Sequence, residues 1–218
     1  MKTSSPLLKA PRPACGFTLI ELLVVLSIAT ILFGLLVPAL GALKSSALNQ
    51  AGNTVVGLVN LARETATSKN TATALVLLTD STLGDHYRVF GIFELGAAPA
   101  GGTSGWQQIS KWEQLEAGTA VDAAGSWTGN NASAISTALS SVAYRGETKN
   151  SSSFQSLIFL PNGSLLTGNN QQIKVVEGIY PSGAATPRYT HPNDSGSPAN
   201  YYLITVLAST GRTRIERP

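Results

Sequence analysis

The sequence predicts an α+β fold in which one long N-terminal helix packs against an antiparallel β-sheet head. Three observations predict it. The run Leu22–Leu43 carries no charged residue. Beyond it, apolar or small side chains recur at Leu48, Ala51, Val55, Leu58 and Ala62, a 3-4-3-4 spacing that marks one face of a helix. After Asn70 the pattern changes to short β-branched and aromatic runs separated by Gly, Pro, Asn and Ser, the mark of strands and turns.

The composition narrows the class. Of 218 residues, 12% are charged and 43% apolar, and 21 glycines and 11 prolines fit neither a collagen nor a flexible linker. The chain is formally +3 with a pI near 9.1, which on its face invites an anionic partner. Lys2, Lys9 and Arg12 lie ahead of Gly16 with no acid among them, and without them the basic and acidic side chains are equal in number. The excess charge is therefore a property of the N-terminus and argues for topology rather than for nucleic acid.

Element by element, the first 16 residues form a basic leader and the apolar run follows. As a helix, Leu22–Leu43 spans roughly 30 Å, one bilayer core. Basic residues ahead of it predict a cytoplasmic leader and an exported remainder. No A-x-A site follows the apolar run, so removal by ordinary signal peptidase is not expected. A plain signal anchor leaves Glu21 unexplained, because a carboxylate inside an apolar span is costly and usually functional or paired.

The string Gly16-Phe17-Thr18-Leu19-Ile20-Glu21 and the apolar stretch after it, with Pro38, resemble the prepilin signature of type IV pilins and type II secretion pseudopilins. The resemblance implies cleavage between Gly16 and Phe17 by a prepilin peptidase on the cytoplasmic side. It implies N-methylation of Phe17 by the same enzyme, and an assembly role for Glu21, which pairs with the cationic N-terminus of a neighbouring subunit. It also implies a single-pass protein of the bacterial inner membrane with a periplasmic head, extracted into a periplasmic or surface fibre. Cys15 precedes the apolar run, unlike a lipoprotein cysteine, and leaves with the leader. The remaining chain has no cysteine and no disulfide.

The helix is expected from about Thr18 to about Ser68, roughly 75 Å at 1.5 Å per residue. Its first half is apolar all round and its second half amphipathic. Pro38, with Gly34 and Gly41 nearby, predicts a kink or local melting. The division is therefore a leader at 1–16, a membrane or fibre-core helix at 17–43, an amphipathic helix at 44–69 and a β-rich head at 70–218. Strands are expected at 72–79, 87–94, 107–113, 156–160, 171–177, 201–208 and 212–216. Hairpin turns are expected at Pro161-Asn162-Gly163 and Ser209-Thr210-Gly211. Residues 96–105, 125–153 and 181–198 read as loops, with a short helix within 132–141.

Three head motifs resemble the H-type pseudopilin (GspH/FimT) group. They are Ala62-Arg63-Glu64-Thr65-Ala66 at the helix end, Phe159-Leu160-Pro161-Asn162-Gly163, and the ending with Gly211-Arg212-Thr213-Arg214. The resemblance implies a structural minor pseudopilin or minor pilin. Its partners are the peptidase/N-methyltransferase, other pseudopilins or minor pilins, an inner-membrane assembly platform and secreted cargo.

Chemistry-bearing constellations are sparse. His86 and His191 lie far apart, Asp80 and Asp85 flank a turn, and Asp194 stands alone. That pattern predicts no metal site. No nucleophile elbow or phosphate loop is present, so neither catalysis nor a cofactor is expected. Trp106, Trp112 and Trp127 read as packing residues. Arg212, Arg214 and Arg217 cluster beside Glu216, and two readings stand. One is an edge strand protected by charge. The other is weak, salt-sensitive phosphate contact, as the DNA-capturing minor pilins of the FimT type imply.

Overall fold

A computed structural model describes residues 18–96, 105–126 and 139–217, with the backbone alone over 34–46. The chain divides into two compact units, Met1–Leu43 and Lys44–Pro218. One helix, α1 (Leu19–Lys69), contributes to both. It is continuous across Pro38, so the local melting expected there does not occur. A proline removes one backbone donor, and the flanking i→i−4 bonds suffice to carry a helix past it.

In the first unit, Leu19, Ile20, Leu22, Ile31 and Phe33 are all largely exposed. The polar groups of this stretch are satisfied within the helix. Ser27 Oγ donates to the Leu23 carbonyl at 2.7 Å and Thr30 Oγ1 to the Leu26 carbonyl at 2.9 Å, as an apolar environment requires. Among the described residues no helix is long and apolar enough to cross a membrane.

The second unit holds the core. Its strands are β1 (Thr73–Leu78), β2 (Val89–Leu95), β3 (Trp106–Gln108), β4 (Glu113–Gln114), β5 (Thr119–Val121), β6 (Ser141–Tyr144), β7 (Glu147–Asn150), β8 (Phe154–Phe159), β9 (Gln171–Ile179), β10 (Arg188–Tyr189), β11 (Tyr201–Val206) and β12 (Thr213–Glu216). One antiparallel sheet runs β3-β2-β1-β8, with β4 also on β2; another runs β10-β9-β11-β12, with β5 also on β9. The helix face Leu48, Ala51, Val55, Val59, Ala62 and Ala66 is fully buried. It packs with Leu75 and Leu77 of β1, Ile173 and Val175 of β9, and Ile204 and Val206 of β11. Each Leu, Ile and Val among them contributes about 1.5–3 kcal/mol on burial, and each Ala less.

β1 is buried at every position, which alternation on a one-sided sheet would not give. The cause is a third layer. Ala74, Val76 and Leu78 point away from the helix and meet Leu139, Val142 and Tyr144, the last two on the β6–β7 hairpin. The loop expected over 125–153 therefore contains a hairpin, closed at Arg145 (φ 52) and Gly146 (φ 82). Two left-handed residues in succession make the type I′ turn that suits strand twist. The sequence hid it because Arg145 is an unusual occupant of that position. The expected strand over 107–113 is split into β3 and β4, and β5 and β10 were not foreseen. Residues 132–138, where a short helix was expected, lie outside the described residues, and Ser141 begins β6.

Candidate functional site

Gly16 and Phe17, the expected cleavage pair, lie outside the described residues, which begin at Thr18. Thr18 is non-helical, and its Oγ1 accepts from the Glu21 amide at 3.4 Å. Reciprocally, the Thr18 amide donates to Glu21 Oε2 at 3.5 Å. This is a capping box, which satisfies two of the orphan donors at a helix start. Glu21 thus serves its own helix N-terminus, where a negative charge also favours the dipole. The Thr-x-x-Glu spacing was in the sequence, although the resemblance had drawn attention to the carboxylate alone.

The three head motifs, distant in sequence, meet at one place. α1 ends where Asn70 turns left-handed (φ 50) and the Thr71 amide donates to the Ala66 carbonyl at 3.2 Å, a Schellman closure. One turn earlier, Arg63 Nε donates to the Thr210 carbonyl at 2.6 Å. Gly163 (φ 81) and Gly211 (φ 62) lie against it. A Cβ on Gly163 would come within 3.4 Å of Arg63 Nε, and one on Gly211 would collide with the Gly163 carbonyl oxygen. The Leu165 amide donates to the Ala208 carbonyl at 2.7 Å, tying the two turns together. The glycines are therefore needed both for backbone conformation and for close approach.

The C-terminal arginines have different fates. Arg217 Nη1 donates to Asn49 Oδ1 at 2.8 Å and its guanidinium lies over the Tyr202 ring, 5.5 Å from the centroid. Tyr202 donates to the same Asn49 oxygen at 3.0 Å. Beneath the ring is Gly52, where a Cβ would come within 2.9 Å of it. Arg217 is thus a clasp between the last strand and α1, a role no motif announced. Arg214 pairs with Glu216 at 3.2 Å, and Arg212 is exposed just ahead of β12.

The remaining polar residues hold loops. His86 is buried, its Nδ1 2.6 Å from the Leu83 carbonyl and its Nε2 3.1 Å from that of Ala184. His191 pairs with Glu177 at 3.1 Å. Asp80 does form the expected turn, accepting from both the amide and hydroxyl of Thr82. Those bonds, then Lys149, hold its carboxyl below the usual range. Asp85, at the other side of that turn, is buried and accepts from Tyr144 at 2.5 Å and Arg145 at 2.8 Å. Burial first, then the bond to Asp85, pushes the Tyr144 hydroxyl up to about 12. Trp112 packs edge-on to Phe93 and Tyr144, and Trp106 packs at the margin of the same core. Trp127 lies outside the described residues, and Asp194 is exposed. Among the described residues no three His, Cys, Asp or Glu side chains converge as metal ligands.

Residues 11–37 match the family model described as the prokaryotic N-terminal methylation motif. No curated protein matches the sequence. Among solved structures, the minor pseudopilin EpsH of the Vibrio cholerae type 2 secretion system is similar, at 14% identity and a TM-score of 0.44, over 78% of this chain and 97% of that one. The Pseudomonas aeruginosa (strain PAO1) type IV minor pilin FimU is similar at 14% identity and a TM-score of 0.43, over 80% of this chain and 95% of that one.

Proposed function

We propose that this chain, whose prepilin-type N-terminal methylation motif runs into the first half of α1 and is followed by a β head, is a structural minor subunit of the GspH/FimT kind. A prepilin peptidase cuts it between Gly16 and Phe17 and methylates Phe17. It waits in the inner membrane with its head in the periplasm, and is then assembled with other pseudopilins or minor pilins into a pseudopilus or pilus-like fibre. The match over residues 11–37 carries the reading. It includes the first turns of α1, whose later turns are part of the head core, so a pull on the helix is a pull on the head. Glu21 is the residue through which a neighbouring subunit's cationic N-terminus would be held, and its capping bonds are long enough to be exchanged for that partner.

Replacing Gly16 with a bulky residue tests the reading. Mass spectrometry of the N-terminus should find the uncleaved precursor, because only a small residue suits the peptidase's cleavage position. Normal processing of that variant would overturn it. DNA capture by the arginine cluster has no specific observation in its favour: Arg217 is held by Asn49 and Tyr202, and the Glu216 carboxylate beside Arg214 repels a phosphate.

A further inference from the structure

We propose that β12 is a self-complementary edge through which two copies of this chain pair, antiparallel, about a two-fold axis at Ile215. Among the described residues β11 is the only strand neighbour of β12. The Leu207 amide donates to the Arg212 carbonyl, and the register continues with Thr205 opposite Arg214 and Leu203 opposite Glu216. Hydrogen-bonded pairs alternate along an antiparallel ladder. The backbone groups of residues 212, 214 and 216 therefore face β11, and those of Thr213, Ile215 and Arg217 face the open edge.

A second copy laid antiparallel with Ile215 opposite Ile215 meets that edge in phase. The two Ile215 residues exchange both backbone bonds, and Thr213 of each copy does the same with Arg217 of the other. The same register sets Arg214 of each copy opposite Glu216 of the other, in the closer, non-hydrogen-bonded type of pair. Shifting by one residue in either strand destroys this match. Within one chain Arg214 and Glu216 already touch, with side chains 71% and 48% exposed, so water surrounds the pair and releasing it costs little. Ile215, 45% exposed, meets its counterpart and loses that exposure. Charges on an edge strand normally repel general pairing; here their alternation admits one partner strand, the same sequence reversed. A contact this short makes a weak, exchangeable pair, and it is isologous, so it closes at two copies. The inference does not depend on fibre assembly.

Cysteine cross-linking of the full chain in detergent micelles tests it, in a Cys15→Ser background. At a hydrogen-bonded pair the two Cα atoms are about 5.5 Å apart, inside disulfide reach. Ile215→Cys should therefore give a disulfide-linked dimer on mild oxidation. Thr213→Cys should not, because its mate is displaced by roughly 13 Å along the strand. Adding Arg214→Glu to Ile215→Cys sets like charges opposite each other twice and should lower the yield about tenfold. Adding Glu216→Arg as well should restore it. Circular dichroism checks that each variant is folded. Equal yields from the two cysteines, no dimer, indifference to the single reversal, or failure of the double reversal to restore would each overturn the proposal.

Discussion

Arg63 Nε donates to the carbonyl of Thr210 at 2.6 Å, across 147 positions of sequence. The bond holds the end of the helix to the turn between the last two strands, and Gly163 and Gly211 are the residues that let the turns come so close. Gly211→Ala should cost about 2 kcal/mol or more, from a left-handed residue and a collision with backbone together. Arg63→Ala should cost about 0.5–1.5 kcal/mol, because the exposed Thr210 carbonyl loses its donor but stays open to water. Denaturant unfolding of the detergent-solubilised chain measures both. The two sites are neighbours, so the double variant should fall short of the sum.

Two glycines on α1 make opposite predictions. Gly52 lies beneath Tyr202, whereas a Cβ on Gly57 would meet nothing within 4 Å. Gly52→Ala should destabilise by about 1–3 kcal/mol, because the ring must move and the Asn49–Arg217 clasp moves with it. Gly57→Ala should stabilise by about 0.5–1 kcal/mol. Paired melting curves separate them by sign.

These cases show what the sequence could carry. The helix, its buried face and most long strands were legible, because a 3-4 spacing and runs such as Leu75–Leu78 depend on neighbours close in sequence. The buried face differs in one place: Val59 is fully buried and Leu58 only partly, an ambiguity that spacing alone leaves. The β6–β7 hairpin was missed because its turn is Arg145-Gly146 and its partner surface is a distant sheet. Arg63, Asn49 and Arg217 could not be paired in advance, since each touches a residue far away in sequence. The arginine cluster read as one patch, yet the fold sends its members in different directions.

The β6–β7 hairpin should be held by charge in a defined pH window. Lys149 reaches Glu147 at 2.8 Å and Asp80 at 3.1 Å. Bonds to Thr82 first, then Lys149, lower the Asp80 carboxyl, and bonds to Glu147 first, then Asp80, raise the Lys149 ammonium. A lowered carboxyl gives stability that is present above its unfolded pKa and lost as pH falls through the folded one. A raised ammonium gives stability present below its unfolded value and lost as pH rises through the folded one. The hairpin should therefore hold through neutrality and loosen first in acid. Amide exchange over residues 141–150 at stepped pH reads this directly. Lys149→Met should abolish the acid dependence that Asp80 draws from Lys149, leaving the Thr82 contribution.

Glu21 has two roles that one pair of substitutions separates. Its carboxylate closes a capping box with Thr18, and the proposed assembly role needs its negative charge. Glutamine keeps an acceptor oxygen at the same reach and is itself a capping-box residue, whereas alanine removes both acceptor and charge. If the cap is what matters, Glu21→Gln should assemble as the native chain does and Glu21→Ala should fail, with about 1 kcal/mol lost from the first turn. If the charge holds the neighbouring subunit's N-terminus, both variants should be cleaved after Gly16 yet both should be missing from sheared fibres. We expect the second pattern. A carboxylate in an apolar helix is too costly to keep for a capping bond that glutamine supplies without a charge.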